Sequence, residues 1–510
     1  MKVAPGTLTA AIDALVPDVE GMPELIWARD HTVWQDEPTE VSDRLGWLDS
    51  PGAFVDRLHE FTALVDGVRA DGIDRVLLVG MGGSSLYPEV LARTAATSTG
   101  LDLTILDTTH PTAVARARAA FEPQRTLVVA SSKSGGTIET RSHLERFWAD
   151  LVDAVGADAA GSHVVAITDP GSALAELGEA RGFRAVVLNP PDIGGRFSAL
   201  SAFGLVPAAL VGVDVEAHLS SAQSMLDTTR APALADNHAL HLGVVMAAAA
   251  QAGLYGLSIH LPEPIAPFGD WIEQLVAEST GKLDTGLLPV LRDPIDPTLA
   301  DRRLWVVYGE GPEADDLIEA GATVVVLPNA DASDLGAEVV RWEFATAVCG
   351  ALLGMNPFDQ PNVQSAKTAA GEYLASGDPV PDPTSAFDLL AETDAADYVA
   401  VLAFADPDGD VTRRAAAAAD ALAASTTTPV TFGVGPRYLH STGQLHKGGP
   451  SGGIHVVLLE EPTDDVEVPE NDHTFGALLT AQAAGDLAAL AESGRSAGRV
   501  AIDDLEAAIR

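Results

Sequence analysis

Residues 127–140 constrain the fold of this chain more than any other stretch. An apolar run of strand character breaks into a turn rich in serine and glycine, and a polar segment that can begin a helix follows at once. Backbone N–H groups at a helix start have no partners within the helix, and the helix dipole adds positive potential there. Gly135 and Gly136 would let an anion approach the main chain. The stretch therefore predicts a phosphate cradle at a strand–loop–helix joint.

The cradle would use the hydroxyls of Ser132, Ser134 and Thr137. It is not a nucleotide-binding P-loop, because the G-x-x-x-x-G-K-[ST] spacing is absent. The alternative reading from the residues is an ordinary serine- and glycine-rich loop between a strand and a helix.

Strand and helix patterns alternate along the chain, which predicts doubly wound parallel sheets and an α/β fold. We expect a helical N-terminal segment (1–70), a first α/β domain (71–228), a second α/β domain (229–378) and a C-terminal α/β extension (379–510) that continues the second domain. Ligands of such sheets bind beyond the carboxyl ends of the strands, where the glycine-rich turns fall.

Composition excludes several classes of partner. The chain has 510 residues and a formal net charge of −43, which argues against nucleic acid or an anionic membrane as a partner. Cys349 is the only cysteine, so no internal disulfide can form and zinc sites built on cysteine clusters are excluded. No apolar stretch is long enough to span a bilayer and the start lacks a signal peptide, so we expect a cytoplasmic protein. Genome composition and salt adaptation both remain open as causes of the acidity.

Four further stretches carry candidate chemistry. The turn at 80–85 invites a dinucleotide-binding interpretation, but Ser85 replaces the third glycine of G-x-G-x-x-G. The loop at 192–198 places Arg196 after two glycines, which suits a guanidinium delivered to a small anion, although a surface salt bridge is the alternative. Segments 273–282 and 356–367 contain further acids, amides and lysines. Glu273 and Glu278 are five apart and cannot share a helix face, so we expect different roles for them, and Glu278 with Lys282 could be a simple surface pair.

Taken together, these stretches resemble the glucose-6-phosphate isomerase family of the sugar isomerase domain superfamily. The resemblance is carried by G-M-G-G-S-S (80–85), S-K-S-G-G-T-I-E-T (132–140), I-G-G-R-F-S (193–198), Q-L-V-A-E-S-T-G-K (274–282) and N-P-F-D-Q-P-N-V-Q-S-A-K (356–367). The opening W-A-R-D and the late L-H-S-T-G-Q-L-H-K-G-G-P resemble the branch also found fused to transaldolase, a portion this chain lacks. The resemblance implies two sugar isomerase domains and interconversion of glucose 6-phosphate and fructose 6-phosphate, a reaction of glycolysis and gluconeogenesis, without metal or cofactor. It also implies a homodimer.

The resemblance assigns the site position by position. Glu278 matches the catalytic base, Arg196 the cation beside the reacting carbons, and Lys367 the lysine near the ring oxygen. The substrate-binding positions that it implies are Gly83, Ser84, Ser132, Lys133 (through its backbone), Ser134, Thr137, Glu139, Gly195 and Gln360.

These residue types suit the chemistry. Moving a hydrogen between C1 and C2 requires an open chain and then a carboxylate that carries the proton across one face of a cis-enediol. A guanidinium keeps its charge and can stabilise the enediolate oxygen. Binding of the phosphate, which does not react, holds the chain in place.

The sequence departs from the family at the ring-opening histidine, because no histidine lies between Glu278 and Lys367. We expect His446, in the glycine-rich segment 441–450, to act on the ring oxygen, with His440 as the second candidate. That segment also resembles the histidine loop in the isomerase domain of glucosamine-6-phosphate synthase. The alternative is that either histidine only hydrogen-bonds within the loop.

Two other functions remain open at this stage. A related phosphosugar isomerase that also accepts mannose 6-phosphate would carry the same motifs. A non-catalytic sugar-phosphate sensor would need the phosphate cradle but not Glu278, Arg196 and Lys367, and all three are present.

Overall fold

The structure is a computed structural model that describes residues 1–510. It contains three sheets, each with helices packed against it. The strands at 126–131, 323–327 and 398–404 are buried along their whole length and consist mainly of Val, Leu, Ile and Ala, as expected for parallel strands covered on both faces.

The N-terminal segment is helical except for its first residues. Its elements are β1 (Lys2–Ala4), α1 (Thr9–Leu15), α2 (Met22–Trp27), α3 (Ser50–Val55) and α4 (Leu58–Ala70). The strand β1 was missed in the sequence because three residues are too few for a period-two pattern to emerge.

The first α/β unit contains β2 (Arg75–Gly80), α5 (Leu86–Thr94), β3 (Asp102–Leu106), α6 (Pro111–Ala120), β4 (Thr126–Ser131), α7 (Ile138–Val155), α8 (Ala157–Ala160), β5 (Val164–Thr168), α9 (Ala173–Ala180), β6 (Ala185–Leu188), α10 (Ala202–Leu210) and α11 (Val215–Thr228). Its five strands are all parallel, in the order β3-β2-β4-β5-β6. The central position of β4 places the turn that follows it at the middle of the carboxyl edge.

The second unit contains α12 (His238–Gln251), β7 (Gly256–His260), α13 (Phe268–Thr280), β8 (Leu288–Val290), β9 (Arg303–Tyr308), α14 (Pro312–Glu319), β10 (Thr323–Leu327), α15 (Leu335–Leu352) and α16 (Val363–Ser376). Its sheet has the order β1-β10-β9-β7-β8, in which only β1 runs antiparallel to its neighbour. One apolar core runs through the N-terminal segment and the first two units.

The third unit contains α17 (Ala386–Leu389), β11 (Tyr398–Phe404), α18 (Asp410–Ser425), β12 (Val430–Gly435), α19 (Gly443–Gly448), β13 (Gly453–Leu459), α20 (Phe475–Glu492), β14 (Ser496–Arg499) and α21 (Ile502–Ile509). Its parallel strands have the order β12-β11-β13-β14.

The expectation that this C-terminal part continues the second sheet is corrected by the structure. Both hydrogen-bonding edges of β11 are taken by β12 and β13, so the third unit forms a sheet of its own. It packs on the second unit through an apolar cluster in which Leu402 and Leu445 meet Ala277 and Leu288. We keep 70, 228 and 378 as proposed domain boundaries.

Candidate functional site

The turn between β4 and α7 is closed by its own hydroxyls. Ser132 Oγ lies 3.1 Å from Thr137 Oγ1 and accepts a hydrogen bond from the Gly135 N–H at 3.2 Å. Gly135 has a φ of +68°, and a Cβ there would lie 2.6 Å from the Leu174 nitrogen, so only glycine fits. No side chain caps the first turn of α7, which leaves its N–H groups available to an anion.

Lys133 turns its ammonium away from this cradle. It forms an ion pair with Asp169 and donates to the Pro191 carbonyl at 2.8 Å. Only the main chain of Lys133 is therefore free to contact a ligand, which agrees with the role expected for it.

Arg196 is buried, with 3% of its surface exposed, and its guanidinium is held from every side. Its Nε donates to Ser279 Oγ at 2.8 Å, and its Nη1 donates to Gln360 Oε1 at 2.9 Å. Its Nη2 donates to the carbonyls of Pro357 and Asp359 at 2.6 and 2.7 Å. Burial lowers the pKa of Arg196, but an arginine remains charged. The guanidinium is thus a fixed positive charge.

The Glu278 carboxylate faces that charge. Its Oε1 lies 3.5 Å from Arg196 Nη1, and its Oε2 accepts a hydrogen bond from Gln274 Nε2 at 3.2 Å. The residue is 8% exposed, so the carboxylate does not face bulk solvent. Gln274 Nε2 also donates to the His440 carbonyl at 2.8 Å, which connects α13 to the third unit.

Two glycines let loops that are distant in the sequence approach one another closely. A Cβ on Gly83 would lie 2.0 Å from the Gly195 carbonyl oxygen. A Cβ on Gly82 would lie 2.8 Å from both Gln274 Nε2 and the His440 carbonyl oxygen. The 80–85 turn and the arginine loop are therefore in direct contact, and the same turn touches the histidine loop.

A cavity of about 340 Å³ opens beside this junction. The polar side chains that line it are Ser134, Thr137, Glu139, Lys367, His440, Lys447 and Gln482. Glu139 accepts hydrogen bonds at Oε1 from His440 Nε2 at 2.9 Å and from Gln482 Nε2 at 2.7 Å. Burial alone would raise the pKa of Glu139, but His440 and Lys367 lower it below its usual value. Glu139 is therefore an ionised carboxylate at the cavity wall.

The structure places the two candidate histidines apart. His446 is 1% exposed, its Nδ1 lies 3.3 Å from the Tyr398 hydroxyl, and its ring packs 5.2 Å from that of His455. Burial lowers the pKa of His446 well below its usual value. The helix α19 turns this side chain into the core of the third unit, whereas His440, just before α19, lies on the cavity. We therefore replace His446 with His440 as the candidate for ring opening.

Glu273 lies in a different environment from Glu278, on the wall of a second cavity. Its Oε1 accepts a weak hydrogen bond from Ser441 Oγ at 3.4 Å. Burial, together with the nearby Asp270, raises the pKa of Glu273 to about 8. The two acids of α13 thus point to different sites, as their five-residue spacing indicates.

Lys282 does not form the surface pair with Glu278 that the sequence left open. Its Nζ donates to Asp359 Oδ1 at 2.7 Å and to the Asn356 carbonyl at 2.5 Å. Burial, followed by the neighbouring Arg196, lowers the pKa of Lys282 to about 7. Lys282 therefore secures the 356–360 segment, whose carbonyls and Gln360 hold the guanidinium.

Sequence reasoning missed three residues of this site. Gln274 and Ser279 belong to a recognised motif, so their position relative to Glu278 could have drawn attention to them. Gln482 lies on the apolar helix α20, and no sequence signal marks it.

The chain shows no group of His, Cys, Asp and Glu arranged to hold a metal ion, and none of its helices combines the length and apolarity needed to cross a membrane.

Several known proteins are similar to this chain in sequence. The family described as phosphoglucose isomerase matches residues 41–285. The glucose-6-phosphate isomerase of Thermosynechococcus vestitus is 31% identical over 350 residues, which cover 59% of this chain and 66% of that protein. The glucose-6-phosphate isomerase of Thermus thermophilus is 30% identical over 400 residues, which cover 66% of this chain and 91% of that protein.

Solved structures show the same fold. A hypothetical protein from Thermus thermophilus superposes with a TM-score of 0.61 at 26% identity, over 72% of this chain and 97% of that one. A glucose-6-phosphate isomerase from Chlamydia trachomatis superposes with a TM-score of 0.59 at 18% identity, over 72% of this chain and 86% of that one. With a 30% identical relative matched over nine-tenths of its length, this chain belongs to the phosphoglucose isomerase family.

Proposed function

We propose that this protein interconverts glucose 6-phosphate and fructose 6-phosphate through ring opening and a cis-enediol. The observation that carries the proposal is the pairing of the Glu278 carboxylate with the buried Arg196 guanidinium at 3.5 Å. Gln274 joins this pair to the His440 loop, and His440 lines the cavity that holds the phosphate cradle. A sensor would need the cradle but has no use for a carboxylate held against a buried guanidinium.

Ring opening comes first. Breaking the C1–O5 bond requires a proton on O5 and loss of the proton from the C1 hydroxyl. His440 forms a hydrogen bond to Glu139 through Nε2. Its Nδ1 makes no hydrogen bond within the protein and can therefore contact the sugar. Lys367, exposed on α16, supplies an ammonium to the same cavity. We assign to His440 Nδ1 the uptake of the proton from the C1 hydroxyl, and to the Lys367 ammonium the donation of the proton to O5.

Proton transfer follows on the open chain. Glu278 takes the proton from C2 of the aldose, and the electron pair moves toward the C1 carbonyl oxygen, which gains a proton to give the enediol. Loss of the O2 proton and return of the proton from Glu278 to C1 yield the ketose. Arg196 stabilises the negative charge that develops on the oxygens, because its position is fixed before the reaction begins.

Binding of the phosphate group positions the substrate in the site. The hydroxyls of the cradle, the free N–H groups of α7 and the backbone of Lys133 would bind the phosphate, while Gly83, Ser84 and Gly195 would lie along the sugar. Binding energy from this non-reacting group orients C1 and C2 relative to Glu278.

We further propose a cytoplasmic location, in line with a single buried, free cysteine. The homodimer implied by the family resemblance also stands as a proposal. The groups assigned to the reaction all belong to one chain.

The test is an assay of fructose 6-phosphate formation with matched glutamate variants. Glu278→Gln removes the base while it keeps the shape, and we expect kcat to fall by about 100- to 10,000-fold. Glu273→Gln changes the same residue type on the same helix but on the other cavity, and should keep kcat. Undiminished activity in Glu278→Gln would exclude Glu278 as the base. The same assay with mannose 6-phosphate separates a strict enzyme from a broader phosphosugar isomerase.

A further inference from the structure

A buried row of polar side chains runs from Glu139 and Gln482, on the cavity wall, to Thr109. Thr109 Oγ1 lies 2.7 Å from Gln482 Oε1, and Gln482 Nε2 lies 2.7 Å from Glu139 Oε1. Thr109 is fully buried and Gln482 is 4% exposed. The row joins the loop after β3, the helix α20 of the third unit, and the start of α7.

The direction of each hydrogen bond in this row is fixed by chemistry. Glu139 is ionised and can only accept, so Gln482 must present its NH₂ group to it. The Gln482 carbonyl oxygen then faces Thr109, whose hydroxyl must donate. Glu139 fixes the orientation of the Gln482 amide, because a turned amide would oppose the carboxylate with its own oxygen, and the Thr109 hydroxyl holds the amide in that orientation by donating to its oxygen.

The same logic extends to the histidine. A neutral His440 that faces an acceptor-only carboxylate through Nε2 must carry its proton on Nε2, which leaves Nδ1 as a bare acceptor. The position and charge of Glu139 thus decide which nitrogen of His440 can take a proton from the sugar. Lys367 contributes by keeping Glu139 ionised.

We infer that Gln482 and Thr109 are positioning residues for ring opening, which hold Glu139 so that His440 keeps its Nε2–H tautomer and offers Nδ1 to the substrate. This inference rests on the proposed function and on His440 as the ring-opening group. It assigns a catalytic contribution to α20, a helix of the third unit that none of the recognised motifs includes.

The experiment separates ring opening from proton transfer. In a Glu278→Gln background, isomerisation of glucose 6-phosphate should be greatly slowed, but ring opening and reclosure still exchange its α and β anomers, a process measurable by NMR exchange spectroscopy. We expect Gln482→Met in this background to slow enzyme-catalysed anomer exchange by about tenfold, and Thr109→Val to slow it by about threefold. The first variant removes a direct hydrogen bond to the Glu139 carboxylate, whereas the second acts only through Gln482. Thr109→Ser keeps the hydroxyl and should restore the rate.

A second readout reports on the histidine itself. With ¹⁵N-labelled histidine, the His440 signals of the otherwise unaltered protein should be those of the Nε2–H tautomer, and Gln482→Met should produce a mixture of tautomers. Ser142→Ala is the control, because Ser142 is a buried α7 hydroxyl bonded to His473 of the third unit and has no hydrogen bond to Glu139. It should change neither readout.

Unchanged anomer exchange and an unchanged tautomer in Gln482→Met would overturn the inference, as would equal losses in Thr109→Val and Thr109→Ser. If the unaltered protein does not convert glucose 6-phosphate at all, it is the proposed function that fails. Should Gln482→Met not fold, the Thr109 pair carries the same test.

Discussion

Glu273 and Glu278 show at the scale of single residues how surroundings decide chemistry. Both lie on α13, yet Glu278 reaches a fixed guanidinium, whereas Glu273 lies on the wall of a second cavity beside Asp270. The carboxylate beside Arg196 is the one to which we assign the proton transfer between C1 and C2. The other is held in its protonated form near neutral pH by burial and by Asp270, and makes no contact with the proposed reacting centre.

The two histidines of the third unit yield a prediction at this scale. We expect His440→Asn to lower kcat for cyclic glucose 6-phosphate by about 100-fold, because the group that accepts the proton of the C1 hydroxyl is lost. His446→Asn should instead lower the unfolding midpoint, since His446 lies in the core. Steady-state assays well below that midpoint, paired with thermal unfolding, check both. A folded His446→Asn protein without activity, beside an active His440→Asn protein, would restore His446 as the ring-opening residue.

The sequence could place the reacting pair but not the histidine. Arg196 and Glu278 lie in segments that resemble the family's motifs, which suggested their roles, and the structure brings the two side chains within 3.5 Å of each other. His440 and His446 lie close together in the same short segment. Which of them faces the cavity depends on the residue at which helix α19 begins, because that residue sets the direction of each side chain. Gln482 could not be predicted from the sequence, because a single amide on an alanine- and leucine-rich helix shows no functional pattern. Its role becomes visible only when the packing of that helix against the cavity is known.

At the scale of elements, the site depends on how closely two loops approach each other. The turn before α5 and the loop before α10 touch at Gly83 and Gly195, and no side chain fits between them. The strand-to-helix joint after β4 was predictable because its hydroxyl and glycine pattern is local. The separate third sheet was not, because strand partners are chosen by packing between distant segments.

Gly83→Ala tests this contact. A Cβ 2.0 Å from the Gly195 carbonyl oxygen must push the loops apart, and we expect kcat/KM to fall by about 100-fold through the displaced arginine loop. Gly52→Ala is the matched control, because its Cβ would find its nearest neighbouring atom at 4.0 Å. Retained activity in Gly83→Ala would mean that the two loops can separate without moving the reacting groups.

At the scale of the whole molecule, charge is distributed unevenly. The net charge is −43, yet four of the five lysines lie at or beside the site: Lys133, Lys282, Lys367 and Lys447. Lys133, Lys282 and Lys447 each form an ion pair with a carboxylate. A substrate that is still far from the protein therefore experiences little attraction from these three lysines. An anionic substrate therefore approaches through a repulsive field before it meets the cradle.

This distribution predicts the effect of salt. Raising the ionic strength from about 10 to about 150 mM shortens the screening length from about 30 to about 8 Å, and should raise kcat/KM several-fold while kcat stays constant. Measurements with a salt that does not bind at phosphate sites provide the check. A decrease in kcat/KM over that range would mean that attraction by the local lysines outweighs repulsion by the surface.

The stretch 377–385, which contains no helix or strand, connects α16 to the third unit. Through that tether the chain delivers His440 and Gln482 to a cavity whose other walls come from residues far upstream. Because that connection is covalent, the histidine loop is present at every site however dilute the protein becomes. What a separate polypeptide would have to achieve by affinity, this chain achieves by covalent connectivity.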